Sequence, residues 1–381
     1  MPLSYQHVSS ELRVFHGEDS LLALKRELDR AGCRRVGVIC GRTIGGSAEL
    51  TQLADVLGSI LAGVSTSARE HSPVAGVEES ARLFAELGVD GIIAVGGGSA
   101  IVTARATAIL LGEKRPLAEL ATRRLPDGKF ESPRLNAPKL PVYAVPTTPS
   151  TAFAKAGTAV HGEDGARLAM FDPRTRAKAI FIHPAFVRTA SEGLVRSATL
   201  NAFTNAVEAL ESPKCDPFSE AFLMQALRLI RAGFDAGVCH ADTPEQLVVA
   251  ALLCGRGTEQ GGTGLTSVLA HAIGARAHVA NGLVGAIVLP HTMRYNAPVT
   301  GARAPALFEA LSSTSAQGSP SDAVTSLLAR LSVPRTLRDI GIERSDLGPI
   351  ADAAMGDWFI SRNARPVKDV QALTALLEAA Y

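Results

Sequence analysis

The 381-residue sequence carries 38 Lys and Arg against 37 Asp and Glu, with 46% hydrophobic and 20% charged residues. Because the charges nearly cancel, there is no basic surplus to neutralise phosphates, and nucleic acid is not an expected partner. The apolar fraction predicts that the chain folds throughout. The length predicts two domains, because single hydrophobic cores stop growing near ~250–300 residues.

The N-terminal stretch MPLSYQHVSSELRVFHG has neither the basic nor the apolar region of a secretion signal. Apolar runs such as 91–98 and 284–290 fall short of the about 20 residues that a membrane helix needs. The five cysteines are widely spaced and never form CxxC, which argues against disulfides and zinc knuckles. We therefore expect a cytoplasmic protein with no membrane partner.

Short Val- and Ile-rich runs alternate with amphipathic stretches in the first half of the chain. The predicted strands are 35–40, 91–95 and 141–146, and the predicted helices between them are 47–62 and 76–87. This order is typical of parallel strands joined by right-handed crossover helices, as in a doubly wound sheet. A hairpin at 156–171, turning at GEDG, and a short strand at 181–184 complete this region.

Helical periodicity replaces strand patterns after about residue 185, and no internal repeat is found. The sequence therefore predicts an α/β domain over 1–185 and an all-α domain over 186–381. A Ser-rich piece at 313–320 is interpreted as a surface loop. Helices are predicted at 186–210, 217–234, 244–258, 263–276, 283–296, 304–312, 321–332 and 368–379.

A glycine-rich turn follows the second predicted strand in AVGGGSAIVTAR, residues 94–105. Glycines allow a close backbone approach to a phosphate, and the start of the next helix offers free N–H groups. Gly96, Gly97, Gly98 and Ser99 are therefore candidates for holding a pyrophosphate. The spacing is not GxGxxG, and a plain tight turn is the alternative.

A second polar loop, PTTPST at 146–151, follows the next predicted strand. Ligands of open α/β sheets bind at the carboxyl edge of the strands, where this loop would lie. The hydroxyls of Thr147, Thr148 and Thr151 are candidates for binding ribose, phosphate or a nicotinamide amide. Turn capping is the alternative role for these side chains.

The order of motifs along the chain resembles the iron-containing alcohol dehydrogenase family. The motifs are GGGS, PTT, NAVEAL, GLxxxLAHAIGA and GAIVLPHTMRYN, and ASEGLVRSATLNAFTNAVEAL and MRYNAP resemble the maleylacetate reductase branch. The resemblance implies the fold shared with dehydroquinate synthase: a Rossmann-like domain, a helical domain, and a cleft between them for NAD(P) and a small-molecule substrate. It also implies a homodimer.

The resemblance places four metal ligands at positions that this sequence has changed. Family members have an Asp and a His four residues apart, then two further His; here Asn201, Asn205, Ser267 and Asn281 stand there. Neutral amides and a hydroxyl are poor ligands for iron or zinc, which favour imidazole and carboxylate. We therefore expect that the protein binds no metal and that the four residues line a substrate pocket.

Other substitutions concern the cofactor. Val102 and Arg105 occupy positions where the family has an acid or Gly and a Lys, and Arg167 replaces a Lys that approaches the nicotinamide ribose. Arg42, after the first strand, stands near the place where NAD-preferring members have an Asp. Arg42 would pair with a 2′-phosphate, so NADP is at least as well suited as NAD.

Two histidines are candidates for proton transfer. His271 matches a family histidine close to nicotinamide and substrate, and its ordinary pKa suits a proton donor. His278 would add a second donor near the former ligand loop, although an ordinary loop histidine is the alternative. His291 matches a position that is more often structural, and Arg196 and Arg276 are candidates for orienting a carboxylate.

These observations predict a metal-independent NAD(P)H-dependent reductase. Without a cation, the carbonyl must be polarised by hydrogen bonds, which favours an activated substrate such as an enone, an imine or an α-keto acid. Two alternatives remain open. One is a non-redox lyase, cyclase or isomerase on the same scaffold, and the other is a binding protein without activity.

Overall fold

The computed structural model describes residues 4–125, 127, 130–162, 166–312 and 318–381. The chain forms two compact units. Ser9–Ser191 form the N-terminal unit, and the described residues before Ser9 together with Glu192–Tyr381 form the helical unit. None of the described helices combines the length and the apolar character needed to span a bilayer.

The N-terminal unit is built on a six-stranded parallel sheet with strand order β1-β10-β7-β4-β2-β3. Its strands are β1 (Arg13–His16), β2 (Val36–Cys40), β3 (Leu61–Ser65), β4 (Gly91–Gly96), β5 (Arg123–Arg124), β6 (Phe130–Glu131), β7 (Val142–Pro146), β8 (Gly157–His161), β9 (Arg167–Phe171) and β10 (Ala177–Ile182). Its helices are α1 (Ser20–Arg30), α2 (Arg42–Gly45), α3 (Ala48–Leu57), α4 (Val74–Glu86), α5 (Gly98–Glu113), α6 (Leu117–Leu120) and α7 (Pro184–Val187).

The three central strands end at the same edge of the sheet. Cys40 of β2 is paired with Val95 of β4, and Gly96 of β4 is paired with Pro146 of β7. Every residue of these strands is buried, as expected for a parallel sheet covered by helices on both faces. The loops that follow β2, β4 and β7 therefore start side by side, which is where such sheets bind ligands.

Two hydrophobic clusters stabilise the N-terminal unit. The first contains Leu24 of α1 and Leu53 of α3 with strand residues such as Val38. The second joins α4 and α5 to the antiparallel hairpin β8–β9, through residues that include Ile109 and Val160. The hairpin is thereby fixed beside α5, the helix that follows the glycine-rich turn.

The described residues of the helical unit form helices, turns and irregular segments, with no strand among them. Its helices are α8 (Glu192–Glu211), α9 (Pro217–Ala236), α10 (Thr243–Gly261), α11 (Leu265–Ala277), α12 (Asn281–Thr300), α13 (Ala304–Leu311), α14 (Pro320–Ala329), α15 (Leu347–Met355) and α16 (Val370–Ala380). A core of side chains from α11, α12, α15 and α16, including Ile273, Ile287 and Leu377, stabilises it. The predicted fold class, an α/β unit followed by an all-α unit, is confirmed.

Some elements differ from the prediction. The helix predicted over 47–62 ends at Leu57, because Gly58 adopts a φ of 55°, and 61–65 form the edge strand β3. The strand β1 and the helix α1 were not predicted at all. The hairpin is confirmed, but residues 163–165 of its GEDG turn, and 313–317 of the Ser-rich loop, lie outside the described residues.

Candidate functional site

The glycine-rich turn connects β4 directly to α5. Gly96 has a φ of 145°, a conformation that favours glycine, and its carbonyl accepts a hydrogen bond of 2.8 Å from the backbone N–H of Thr147. Gly97 is the extended N-cap residue of α5 and forms no side-chain capping bond. The first turn of a 16-residue helix thus begins at this edge of the sheet without a capping side chain of its own.

The two predicted cofactor loops touch each other. A Cβ atom on Gly97 would lie 2.8 Å from Oγ1 of Thr148, and one on Gly98 would lie 2.9 Å from Oγ of Ser150. Only glycine leaves this space open between the loops. Thr147, Thr148 and Thr151 are all buried. This arrangement fits the pyrophosphate end of a dinucleotide, which needs close backbone contact and nearby hydroxyls.

The two predicted cofactor arginines lie on different elements. Arg42 is exposed and begins α2, directly after β2, the strand that neighbours β4. Arg167 is also exposed and begins β9, opposite His161 on β8. Arg42 therefore follows the strand next to the glycine-rich turn, whereas Arg167 belongs to the hairpin beside α5.

Arg105 points into the protein. It is fully buried, and its guanidinium donates to the carbonyl oxygens of Gly157, at 3.2 Å, and of Ala152. Both carbonyls belong to the chain that follows Thr151. Arg105 therefore holds the second cofactor loop in place, which explains why a charged residue occupies this position of α5.

In the helical unit, two of the four positions at which the family has metal ligands are in direct contact with each other. Oγ of Ser267 on α11 lies 3.1 Å from Oδ1 of Asn205 on α8 and 2.6 Å from Oε2 of Glu208. The backbone N–H of Ser267 also donates to Oε1 of Glu208, at 3.2 Å. Glu208, three residues after Asn205, thus connects the beginning of α11 to α8.

The other two substituted positions lie where α12 packs on α8. A Cβ atom on Gly282 would lie 1.9 Å from the carbonyl oxygen of Ser197 and 2.9 Å from the backbone nitrogen of Asn201. Asn281, the first residue of α12, precedes this contact, and its Oδ1 lies over Gly274 of α11. All four positions therefore lie where α8, α11 and α12 meet.

These residues do not fit an iron or zinc ion. The four positions offer three carboxamides and one hydroxyl, and Ser267 already hydrogen-bonds to Glu208. Among the described residues, there is no group of three or more His, Cys, Asp or Glu side chains that could hold a metal. Transition metals need several imidazole, thiolate or carboxylate ligands, which this arrangement does not provide.

His271 lies one turn beyond Ser267 on the same face of α11. Its Nδ1 atom is 3.6 Å from Oδ2 of Asp357, and its ring packs near Phe359, with 6.4 Å between ring centroids. His278 follows the end of α11 with a φ of 54° and is exposed. His271 is therefore held by neighbouring side chains, whereas His278 caps a helix.

The sequence-based reasoning missed two carboxylates. Glu208 is buried, and burial raises the pKa of its carboxyl, although the hydroxyl of Ser267 and backbone N–H groups at the start of α11 oppose this. Glu208 follows Asn205 by three residues and so lies on the same helical face, which could have identified it from the sequence. Asp357 carried no local signal, because it lies far from His271 along the chain.

Comparison with known proteins confirms the resemblance suggested by the motifs. Residues 12–184 match the family described as iron-containing alcohol dehydrogenase, and residues 196–381 match the C-terminal domain of the Fe-containing alcohol dehydrogenase family. The chain is 28% identical to lactaldehyde reductase of Escherichia coli (strain K12), over 92% of this chain and 94% of that protein. It is 26% identical to maleylacetate reductase of Pseudomonas sp. (strain P51), over 100% of this chain and 98% of that protein.

Solved structures confirm the fold. The crystal structure of sulfoacetaldehyde reductase from Bifidobacterium kashiwanohense in complex with NAD+ superposes with a TM-score of 0.86. The alignment covers 100% of this chain and 99% of that one, at 16% sequence identity.

Proposed function

Since the chain belongs to the iron-containing alcohol dehydrogenase family, whose members similar to it are oxidoreductases, we propose that it is an NAD(P)H-dependent reductase that works without the family's metal. Its substrate is a small carbonyl compound, or a related double bond, activated by a neighbouring group. The observation that most supports this proposal is that none of the four ligand positions keeps an Asp or a His, whereas His271 is retained. These positions hold Asn201, Asn205, Ser267 and Asn281.

The glycine-rich turn supports nucleotide binding. Gly97 and Gly98 leave space against Thr148 and Ser150, and this space would receive the pyrophosphate. When bound, the reduced nicotinamide supplies a hydride to the substrate carbon. The sulfoacetaldehyde reductase of the same fold was crystallised with NAD+. Arg42, which follows β2, would accept a 2′-phosphate, so we include NADP as a cofactor.

His271 is the proton donor in this proposal. Its Nδ1 faces the carboxylate of Asp357, and we assign Nε2 as the atom that donates to the oxygen of the substrate. As the carbonyl carbon is reduced, its oxygen takes the proton from Nε2, and the Asp357 carboxylate stabilises the histidine in its charged form. Solvent protons restore His271 after the alcohol leaves.

The absence of metal ligands limits the substrate. A bound divalent ion polarises a carbonyl, and losing even one good hydrogen-bond donor to the developing oxyanion costs ~3–4 kcal/mol. Side-chain amides compensate only in part, so an unactivated ketone would react slowly. We therefore propose an electron-poor carbonyl or enone, and we expect the reaction in a cytoplasmic homodimer.

Purified protein tests this function. NADH and NADPH are titrated separately by fluorescence, and oxidation of the preferred nucleotide is then followed with a panel of α-keto acids, enones and simple aldehydes, with and without chelator. We expect binding, preference for the activated carbonyls, and no effect of chelator. If neither nucleotide binds, or if chelator abolishes activity, the proposal is wrong. Turnover without net nucleotide oxidation would instead indicate a lyase or isomerase.

A further inference from the structure

A third loop lies beside the two cofactor loops at the carboxyl edge of the sheet. We call it the 66–73 loop, because these residues connect β3 to α4. The backbone N–H of Ala68 donates to the carbonyl oxygen of Cys40, the last residue of β2, at 3.2 Å. A Cβ atom on Gly45 of α2 would lie 2.6 Å from Cγ2 of Thr66. The 66–73 loop therefore packs against the end of β2 and against α2.

The far end of the 66–73 loop is fixed to the glycine-rich turn and to the hairpin. Oγ of Ser72 donates to the carbonyl oxygen of Ser99, in the first turn of α5, at 3.3 Å. The carbonyl oxygens of His71 and Ser72 accept from Nδ1 of His161 at 2.6 Å and from its backbone N–H at 3.2 Å. His71 and Ser72 have φ of 60° and 48°, which residues other than glycine rarely adopt unless surrounding contacts impose them. The loop therefore has a defined position between β2 and α5.

Arg69 is held in place within this loop. It is half-buried, and its Nη1 donates to the carbonyl oxygens of Thr66 and of Ala68, the latter at 2.8 Å. Burial raises the pKa of the Cys40 thiol to about 11, and the positive charge of Arg69 opposes this rise, so the guanidinium lies close to the end of β2. Hydrogen bonds within the described part of the chain use only Nη1 of Arg69, which leaves Nε and Nη2 for a ligand.

Arg42 and Arg69 place two positive charges beside the end of β2. Arg42 follows Cys40 by two residues, and Arg69 belongs to the loop that is hydrogen-bonded to Cys40. Neither arginine forms an ion pair with a described Asp or Glu, and the adjacent carboxylate of Glu70 lies 3.9 Å from Nε2 of His71 instead. Two cations without a carboxylate partner attract an anionic ligand.

The position of these arginines in the sheet indicates which anion they bind. They lie at the end of β2, the strand next to β4, whose glycine-rich turn would hold the pyrophosphate. In dinucleotide-binding sheets, the ribose of adenosine lies at this place, where an acid binds the 2′-hydroxyl of NAD and an arginine accommodates the 2′-phosphate of NADP. Residues 40–43 read CGRT and contain no acid. The anion that fits is therefore a phosphate ester on the 2′-oxygen of adenosine.

We propose that Arg69 binds the 2′-phosphate of NADPH together with Arg42, and that Arg69 thereby determines a preference for NADPH over NADH. This rests on the proposed function in that the ligand is a nicotinamide nucleotide. Because loop carbonyls already fix its guanidinium, Arg69 loses little conformational freedom when the phosphate binds. Arg42, which is exposed, completes the site from the other side of Cys40 in the sequence.

Adenosine nucleotides test the 2′-phosphate site without nicotinamide or substrate. Calorimetry with wild-type protein compares 2′,5′-ADP with 5′-AMP, which differ only in the 2′-phosphate. We expect 2′,5′-ADP to bind at least ~10-fold more tightly, because charge-assisted hydrogen bonds to phosphate are strong. Equal affinities for the two nucleotides in the wild-type protein would overturn the proposal.

Substitution of Arg69 tests its part in this preference. Arg69→Gln should raise the dissociation constant for NADPH at least ~10-fold and leave that for NADH within about 2-fold. The matched control is Arg82→Gln, which removes the same charge from an exposed position on α4, eight residues after Val74, and should change neither constant. Equal weakening of NADPH and NADH by Arg69→Gln would show that Arg69 only supports the loop.

A second variant covers the case in which Arg69→Gln does not fold. Arg69→Lys keeps the charge but loses the planar fork of donors, so NADPH should bind at least ~3-fold more weakly while NADH is unaffected. Wild-type affinity for NADPH in this variant would overturn the role of the guanidinium.

The outcomes also separate this inference from the proposed function. Equal affinities for NADH and NADPH, together with reduction of a carbonyl, would overturn the inference and leave the reductase function intact. A preference for 2′,5′-ADP that Arg69→Gln removes, in a protein that oxidises neither nucleotide with any carbonyl, would support the inference and contradict the reductase function.

Discussion

The Nδ1 atom of His271 lies 3.6 Å from Oδ2 of Asp357, with the histidine side chain 30% exposed and the aspartate side chain 15% exposed. A hydrogen bond fixes the aspartate, because its Oδ1 accepts from the backbone N–H of Phe359 at 2.8 Å. The aspartate is thus oriented by the backbone and in turn orients the histidine. This arrangement supports the role proposed for His271 as a general acid.

Replacing His271 by Gln should lower kcat by about 10²–10⁴-fold, because the substrate oxygen loses its proton donor. Asp357→Asn should cause a smaller loss of kcat and shift the alkaline limb of the pH–rate profile to lower pH, since the charged histidine loses its carboxylate. Steady-state kinetics across pH measure both effects. His240→Gln, at an exposed histidine in the turn before α10, is the control. An unchanged kcat in His271→Gln would remove this residue from the mechanism.

Gly97→Ala should weaken NAD(P)H binding at least ~10-fold. The added methyl group would lie 2.8 Å from Oγ1 of Thr148, in the space between the two cofactor loops. The matched control is Gly348→Ala on α15, where a Cβ atom meets nothing within 4 Å. Nucleotide titration followed by fluorescence gives both dissociation constants. Equal affinities in the two variants would show that the turn does not hold the nucleotide.

The central strands were predictable because they are buried on both faces and therefore appear as continuous apolar runs, such as GIIAV in β4. The edge strand β3 was not, because its residues LAGVS are mostly half-buried and continue the helical spacing of α3. The φ of 55° at Gly58 and the 3-10 turn over Gly58–Ile60, both properties of the folded backbone, separate the two elements.

For the candidate site, too, the sequence predicted some of the contacts and missed others. Motif order was enough to bring Asn205 and Ser267 together, since both occupy positions that the family uses for one metal. Sequence spacing was not enough to identify Asp357, because its contact with His271 depends on how the chain after α15 packs on α11. The sequence also did not reveal that Arg105 is fully buried, because its partners are the backbone carbonyls of Ala152 and Gly157, which become its neighbours only when the chain folds.

Arg42 allows a test of nucleotide preference. If it pairs with a 2′-phosphate, Arg42→Gln should raise the dissociation constant for NADPH by about 10–100-fold, because a charge-assisted hydrogen bond contributes ~1.5–3 kcal/mol. The affinity for NADH should not change, so NADH provides the control within the same variant. Parallel titrations decide the question. Equal weakening of both nucleotides would assign Arg42 a structural role instead.

Glu211 should make stability depend on pH. Burial raises its pKa from 4.5 to about 8, so between these values the folded protein holds a proton that the unfolded chain has released. Stability from this group is therefore present below pH 4.5 and lost as the pH rises toward about 8. Glu211→Gln should match wild type at the acid end and exceed it by roughly 2–4 kcal/mol at the alkaline end.

Denaturant unfolding of both proteins across this range measures the difference. Glutamine keeps an oxygen for the bond of 2.8 Å from Nδ2 of Asn296, so packing is retained. Glu259→Gln, at a carboxyl that is only partly buried, is the matched control. A difference between Glu211→Gln and wild type that does not grow with pH would contradict the raised pKa.

Restoring the family's ligands should create the metal site that this chain lacks. The variant carries Asn201→Asp, Asn205→His, Ser267→His and Asn281→His, one carboxylate and three imidazoles at positions that meet between α8, α11 and α12. Such a ligand set suits Fe or Zn, whereas carboxamides and a hydroxyl do not. We expect about one equivalent of metal per chain in the variant and far less in wild type, measured by elemental analysis after growth with added Fe or Zn. Wild-type protein that retains a full equivalent, and loses both metal and activity to chelator, would show that the amide positions coordinate after all. A wild type free of metal and active beside a metal-loaded variant would show that the chain dispenses with the cation because of these four substitutions.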